Sequence, residues 1–116
     1  MSTERILVLG SSGQIGTDLV EALRNQYGDS NVIAADLKSQ PIALGGHTGP
    51  FEFIDVLDGQ KVFESIKRNN VKQVYLLAAL LSATAEQKIK SAWRLNMEGL
   101  FNLLEIAREN TSLKIF

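Results

Sequence analysis

Gly10, Gly13 and Gly16 stand three residues apart directly after the apolar run Ile6-Leu7-Val8-Leu9, and a carboxylate, Asp36, follows twenty residues beyond the last of them. A loop this poor in side chains lets backbone N–H groups approach a ligand closely. Gly10 allows a sharp exit from a strand, Gly13 lets the backbone meet a pyrophosphate, and Gly16 lets the following helix pack closely on the sheet. Backbone N–H groups around Ser12, Gly13, Gln14 and Ile15 would lie at the positive end of that helix, which favours an anion. Asp36, with Leu37 beside it, is placed to accept hydrogen bonds from a ribose diol. It would also repel a 2′-phosphate, so NAD is expected rather than NADP, with Lys38 the one nearby group acting against that preference. A glycine-rich turn alone is equally consistent with a purely structural turn. The strand before it, the helix after it and the carboxylate beyond are what point to a dinucleotide.

The elements that must position these residues alternate. Ile6 to Leu9 reads as a short strand covered on both faces, and Gly13 to Tyr27 as a helix with Ile15, Leu19, Leu23 and Tyr27 on its inner face, stopped at Gly28-Asp29. Asn31 to Asp36 reads as a second strand, residues 38 to 50 as an exposed loop holding both prolines, and Phe51 to Val56 as a third strand. Asp58 is placed to cap a short helix through about Arg68, with Val62, Phe63 and Ile66 inward. Val71 to Ala79 reads as a fourth strand, Glu86 to Glu109 as a long helix, and Leu113 to Phe116 as the opening of a fifth strand. This order predicts an α/β fold: a doubly wound, mainly parallel Rossmann-type sheet in the order 3-2-1-4, with the fifth strand outside the fourth and helices on both faces.

The totals narrow the function. With 116 residues, 45% hydrophobic and 22% charged, the chain is the size of one domain or part of a larger one. A net charge of −1 offers no basic field for nucleic acid or for an acidic membrane surface. The absence of cysteine excludes disulfides and a thiolate nucleophile. The start, MSTERILV, lacks the features of a secretory signal, which makes the cytoplasm the expected compartment. The apolar run Val74 to Leu81 falls short of the roughly 18 residues of a membrane span. His47, the one histidine, lies in the Gly/Pro loop with no second ligand type nearby, so no metal is expected.

The spacing Gly-x-x-Gly-x-x-Gly resembles that of the extended short-chain dehydrogenase/reductase family, also called the NAD-dependent epimerase/dehydratase family, and the resemblance runs through essentially the whole chain. Asp55-Val56 resembles that family's adenine contact. "LLAALLSA" (Leu76 to Ala83) is similar to its fourth-strand segment, which implies that Leu77, Ala78, Ala79 and Leu80 line the nicotinamide side. "NMEGLFNLLEIAR" (Asn96 to Arg108) is similar to its Asn-x-x-Gly-x-x-Asn helix. Asn96 is then placed to bind backbone near the fourth strand and hold the cofactor wall. Many relatives carry histidine where this chain has Leu77, so a polar role there is lost while a backbone contact can survive. "GSSGQIGTDLV" with "AALLSATAE" looks most like the L-threonine 3-dehydrogenase branch, which implies oxidation of the 3-hydroxyl of L-threonine with NAD as hydride acceptor. Nucleotide-sugar epimerases and dehydratases share the glycine pattern, and a stand-alone dinucleotide-binding module is the alternative without catalysis.

In such enzymes a tyrosine with a neighbouring lysine handles the proton, the lysine lowering the tyrosine pKa. Tyr27 and Tyr75 are the two tyrosines here, and the residues four further on are Asn31 and Ala79. The resemblance therefore implies an amino-terminal cofactor-binding portion, inactive alone, whose catalytic part lies beyond the fifth strand. Ser82 and Thr84 stand where relatives meet substrate, with Ser82 the candidate substrate contact. On the last helix, Ile89, Trp93, Met97, Leu100, Leu104 and Ala107 form a stripe expected to be core. A second stripe of Ala92, Leu95, Gly99, Leu103 and Ile106 would then need its own cover. By resemblance that cover is a partner subunit, in a homodimer through helix 86–109, and the remainder of a longer chain is the alternative cover for part of that face.

Overall fold

The computed structural model describes residues 4–11, 14–37, 49–77, 89–110 and 112–116, with the backbone alone at Gln14 and 89–96. Five strands form one parallel sheet: β1 (Arg5–Leu9), β2 (Val32–Asp36), β3 (Phe51–Phe53), β4 (Val71–Leu76) and β5 (Lys114–Ile115), in the order β3-β2-β1-β4-β5. Among the described residues the α-helices are α1 (Gln14–Tyr27), α2 (Gly59–Arg68) and α3 (Ile89–Glu109). This is the expected doubly wound order.

Strand alternation builds two cores from one sheet. Ile6 and Val8 of β1, with Val32 and Ala34 of β2, point to one face and are covered by Val20 and Leu23 of α1. Leu7 and Leu9, with Ile33, Ala35 and Val74, point to the other, where Val62 and Ile66 of α2 meet Leu103 and Ile106 of α3. Residues 6–9 are fully buried, which is why β1 reads as an unbroken apolar run.

The helices begin and end for local reasons. Gly28, in the left-handed region at φ 101°, turns the chain out of α1, and Asn31 Nδ2 donates to the Tyr27 carbonyl at 2.7 Å. Asp58 caps α2 as expected, its Oδ1 accepting from Lys61 N at 3.2 Å. Arg24 of α1 is buried and donates to the carbonyls of Val32 and Pro50, tying the helix to the starts of β2 and β3. Burial pulls its pKa below the ordinary value against the opposing charge of Asp29.

Several expectations need correction. Asn31 belongs to a 3-10 turn, Asp29–Asn31, rather than to β2. The third strand ends at Phe53, because after the bond from Ile54 N to the Asp36 carbonyl the Asp55 side chain captures Leu57 N and turns the chain off the sheet. The fourth strand stops at Leu76; Ala78 and Ala79 lie outside the described residues, as do residues 86–88 before α3. Ile15 is exposed and Val20 takes its place in the core, since a strict four-residue spacing drifts around a 3.6-residue helix. On α3, Gly99, Leu103 and Ile106 of the second stripe face the core, whereas Leu104 of the first stripe is exposed and Ala107 of the first stripe packs against the core. Among the described residues, no helix is long and apolar enough to cross a membrane.

Candidate functional site

The turn after β1 is held by the strands on either side of it. Gly10 N and Ser11 N both donate to the Ala35 carbonyl of β2, at 2.8 and 3.1 Å, and Leu77 N donates to the Leu9 carbonyl at 2.8 Å. The chain can make this exit because Gly10 adopts φ 89°, where a side chain would be strained. Helix α1 then closes on the turn: a Cβ at Gly16 would stand 2.5 Å from the Gly10 carbonyl oxygen and 2.8 Å from the Ser11 backbone. Thr17 Oγ1 donates to the Ser11 carbonyl at 3.4 Å and adds a second tie. Glycine at position 16 is thus required by close backbone approach, as the sequence predicts, although its contact is with the loop more than with the sheet.

Three candidate elements share the carboxyl edge of the sheet. Leu9 of β1 pairs with Ala35 of β2, so the glycine turn opens beside Asp36, the last residue of β2. Asp36 Oδ1 accepts from Leu37 N at 2.6 Å, and Leu37 is exposed. Asp36 pairs in turn with Phe53, and two residues on, the Asp55-Val56 turn begins. Asp55 Oδ1 accepts from Leu57 N at 2.9 Å, the Asp55 carbonyl accepts from Asp58 N at 2.9 Å, and the Val56 side chain is buried. On the other side of β1, Leu77 is half-buried and packs on the α1 face. A pyrophosphate at the glycine turn, a ribose at Asp36 and a base toward Asp55 fit this line of edges. The Gly10–Gly16 approach is the kind of cradle that such a ligand needs, because a Cβ at Gly16 would force it open.

Ser12, Gly13, Lys38, His47, Ala78, Ala79, Leu80, Ser82 and Thr84 lie outside the described residues, as do the side chains of Gln14 and Asn96. Sequence reasoning passed over Asn102. Its Nδ2 donates to the Val56 carbonyl at 2.8 Å across 46 positions of chain. The available signal was that Asn102 is the second asparagine of the Asn-x-x-Gly-x-x-Asn spacing.

The family model described as the NAD dependent epimerase/dehydratase family matches residues 6–116. The chain belongs to that family. With the family comes its cofactor, NAD. An uncharacterized epimerase/dehydratase of Staphylococcus epidermidis is 46% identical over 105 residues, 90% of this chain and 33% of that protein. Among solved structures, the L-threonine dehydrogenase of Clostridium difficile is 44% identical with a TM-score of 0.88, covering 100% of this chain and 36% of its own. A GalE-like L-threonine dehydrogenase of Cupriavidus necator, in a holo form, is 39% identical with a TM-score of 0.86, covering 97% of this chain and 35% of its own. The chain spans about a third of the length of the curated relatives it matches.

Proposed function

We propose that the chain is the amino-terminal, NAD-binding portion of a cytoplasmic oxidoreductase that converts the 3-hydroxyl of L-threonine to the ketone of 2-amino-3-ketobutyrate. The observation that carries this reading is the 44% identity to the Clostridium difficile L-threonine dehydrogenase over the whole chain. Bound NAD supplies the hydride acceptor. The glycine turn from Gly10 to Gly16 receives the pyrophosphate on backbone N–H groups, including those of Ser12, Gly13, Gln14 and Ile15. Asp36 beside Leu37 holds the adenine-side ribose, Asp55 and Val56 face the adenine, and residues 77–80 with Asn96 form the wall on the nicotinamide side. Ser82 meets the substrate. Neither Tyr27 nor Tyr75 precedes a lysine by four residues, so in this reading the proton-transfer pair comes from a longer protein of which this is about a third.

The longer protein is proposed to be a homodimer through helix 86–109. Phe101, 54% exposed, and Leu104, 48% exposed, lie on the face of α3 turned away from Leu103, a costly arrangement unless something covers them. The epimerase/dehydratase name of the Staphylococcus epidermidis relative, together with a 25% identical UDP-glucose 4-epimerase structure at a TM-score of 0.79, supports a second reading, a nucleotide-sugar epimerase or dehydratase. Supplying the intact protein with NAD and either L-threonine or a nucleotide sugar separates the two. NADH formation dependent on L-threonine, by a species sedimenting at twice the mass of the intact polypeptide, is expected. Turnover of the nucleotide sugar alone would reject the threonine reading.

A further inference from the structure

The peptide unit joining Val56 to Leu57 is gripped at both polar ends. Its carbonyl oxygen accepts from Asn102 Nδ2 at 2.8 Å, and its N–H donates to Asp55 Oδ1 at 2.9 Å. The unit is planar and rigid, so a rotation that gives up one bond moves the other. The Asp55 carboxylate therefore takes its orientation from a peptide plane whose tilt is set on the opposite side by α3. Packing leaves little slack in this arrangement. Val56 is 5% exposed, and a Cβ at Gly99, one turn before Asn102, would meet Val56 Cγ2 at 3.2 Å. A Cβ at Gly59 would stand 3.2 Å from Asn102 Cγ, which confines the amide from the α2 side.

Building on the reading that Asp55 and Val56 face the adenine, we propose that Asn102 is a positioning residue for recognition of the base. By fixing the Val56 carbonyl it aims the Asp55 carboxylate, an acceptor only, at the exocyclic amine of adenine, a donor. A purine with a carbonyl in place of that amine presents an acceptor to an acceptor and is disfavoured. Asn102 thereby contributes to the choice of base from a helix that need not touch it.

The test compares the affinity of the intact protein for NAD and for nicotinamide hypoxanthine dinucleotide, which differ at that group and in the proton that accompanies the carbonyl on ring N1. The wild type is expected to prefer NAD by about tenfold, the scale of one hydrogen bond to a charged group. Asn102→Leu, which keeps the branched shape of the side chain and removes the donor, should bring the ratio at least about threefold closer to one. Asn102→Asp serves as the second variant if the first does not fold, with the same expected direction. A merely structural role would lower the melting temperature and both affinities together and leave the ratio intact, which would overturn the proposal. Asp55→Ala distinguishes the two levels of the argument. If it abolishes the preference while the Asn102 variants retain it, the Asn102 proposal fails alone. If Asp55→Ala leaves the preference unchanged, the adenine reading fails and takes the proposal with it.

Discussion

A methyl group at Gly16 would sit 2.5 Å from the Gly10 carbonyl oxygen, well inside van der Waals contact, and both sides of that contact are backbone. The helix or the turn must therefore shift, since no side chain can rotate away. Overpacking of this kind costs about 1–3 kcal/mol. If the shift opens the turn proposed to receive the pyrophosphate, the same energy corresponds to about fivefold to 150-fold in affinity. Gly16→Ala is accordingly expected to weaken NAD binding by that factor, as read by calorimetric titration; unchanged affinity would mean that the turn does not hold the pyrophosphate. The role of Gly16 is legible in the sequence because it follows from local geometry. That of Asn102 is not, because its partner carbonyl lies 46 positions away and any residue type exposes a carbonyl there.

At the level of elements, β3 is a short edge strand whose attachment to α2 depends on one carboxylate. Glu52 accepts from Arg68 at the end of α2 and, at 2.9 Å, from Asn69 Nδ2. Burial pushes its pKa up, but the hydrogen bonds from Asn69, Arg68 and Ser65 and the charge of Arg68 outweigh that and hold it below the ordinary 4.5. A carboxyl group whose pKa is lowered by folding stabilises the fold fully above its unfolded value and loses that contribution as pH falls through the folded value. Glu52→Gln should therefore lower stability by about 1 kcal/mol at neutral pH. The difference should vanish as pH drops from about 4.5 downward, measured by urea unfolding across pH; a difference that persists in acid would contradict this assignment. The elements themselves were legible from period and punctuation. What failed was the placement of single positions: Ile15 of α1 and Leu104 of α3 are exposed and the core takes Val20 and Leu103, whereas Leu19, Leu23 and Tyr27 of α1 do face the core. Both helices carry apolar residues on more than one side, so hydrophobicity alone does not select the buried one.

On the scale of the whole molecule, parallel strand order brings the glycine turn, Asp36 and the Asp55 turn to one edge of one sheet, although they are scattered over some fifty residues of chain. That convergence is what a dinucleotide site requires, and the sign of the charge at the end of β2 gives it a direct consequence. A carboxylate at Asp36 that receives the ribose diol would oppose a 2′-phosphate placed on the same ribose, and like charges brought together in this way cost on the order of several kcal/mol. The most direct measurement is the pair of dissociation constants for NAD and NADP, taken with the intact protein and with Asp36→Ala. The wild type is expected to prefer NAD by at least about tenfold, and Asp36→Ala to reduce the preference by weakening NAD and relieving NADP. Equal affinity for the two dinucleotides in the wild type, or a preference that survives Asp36→Ala unchanged, would contradict this expectation.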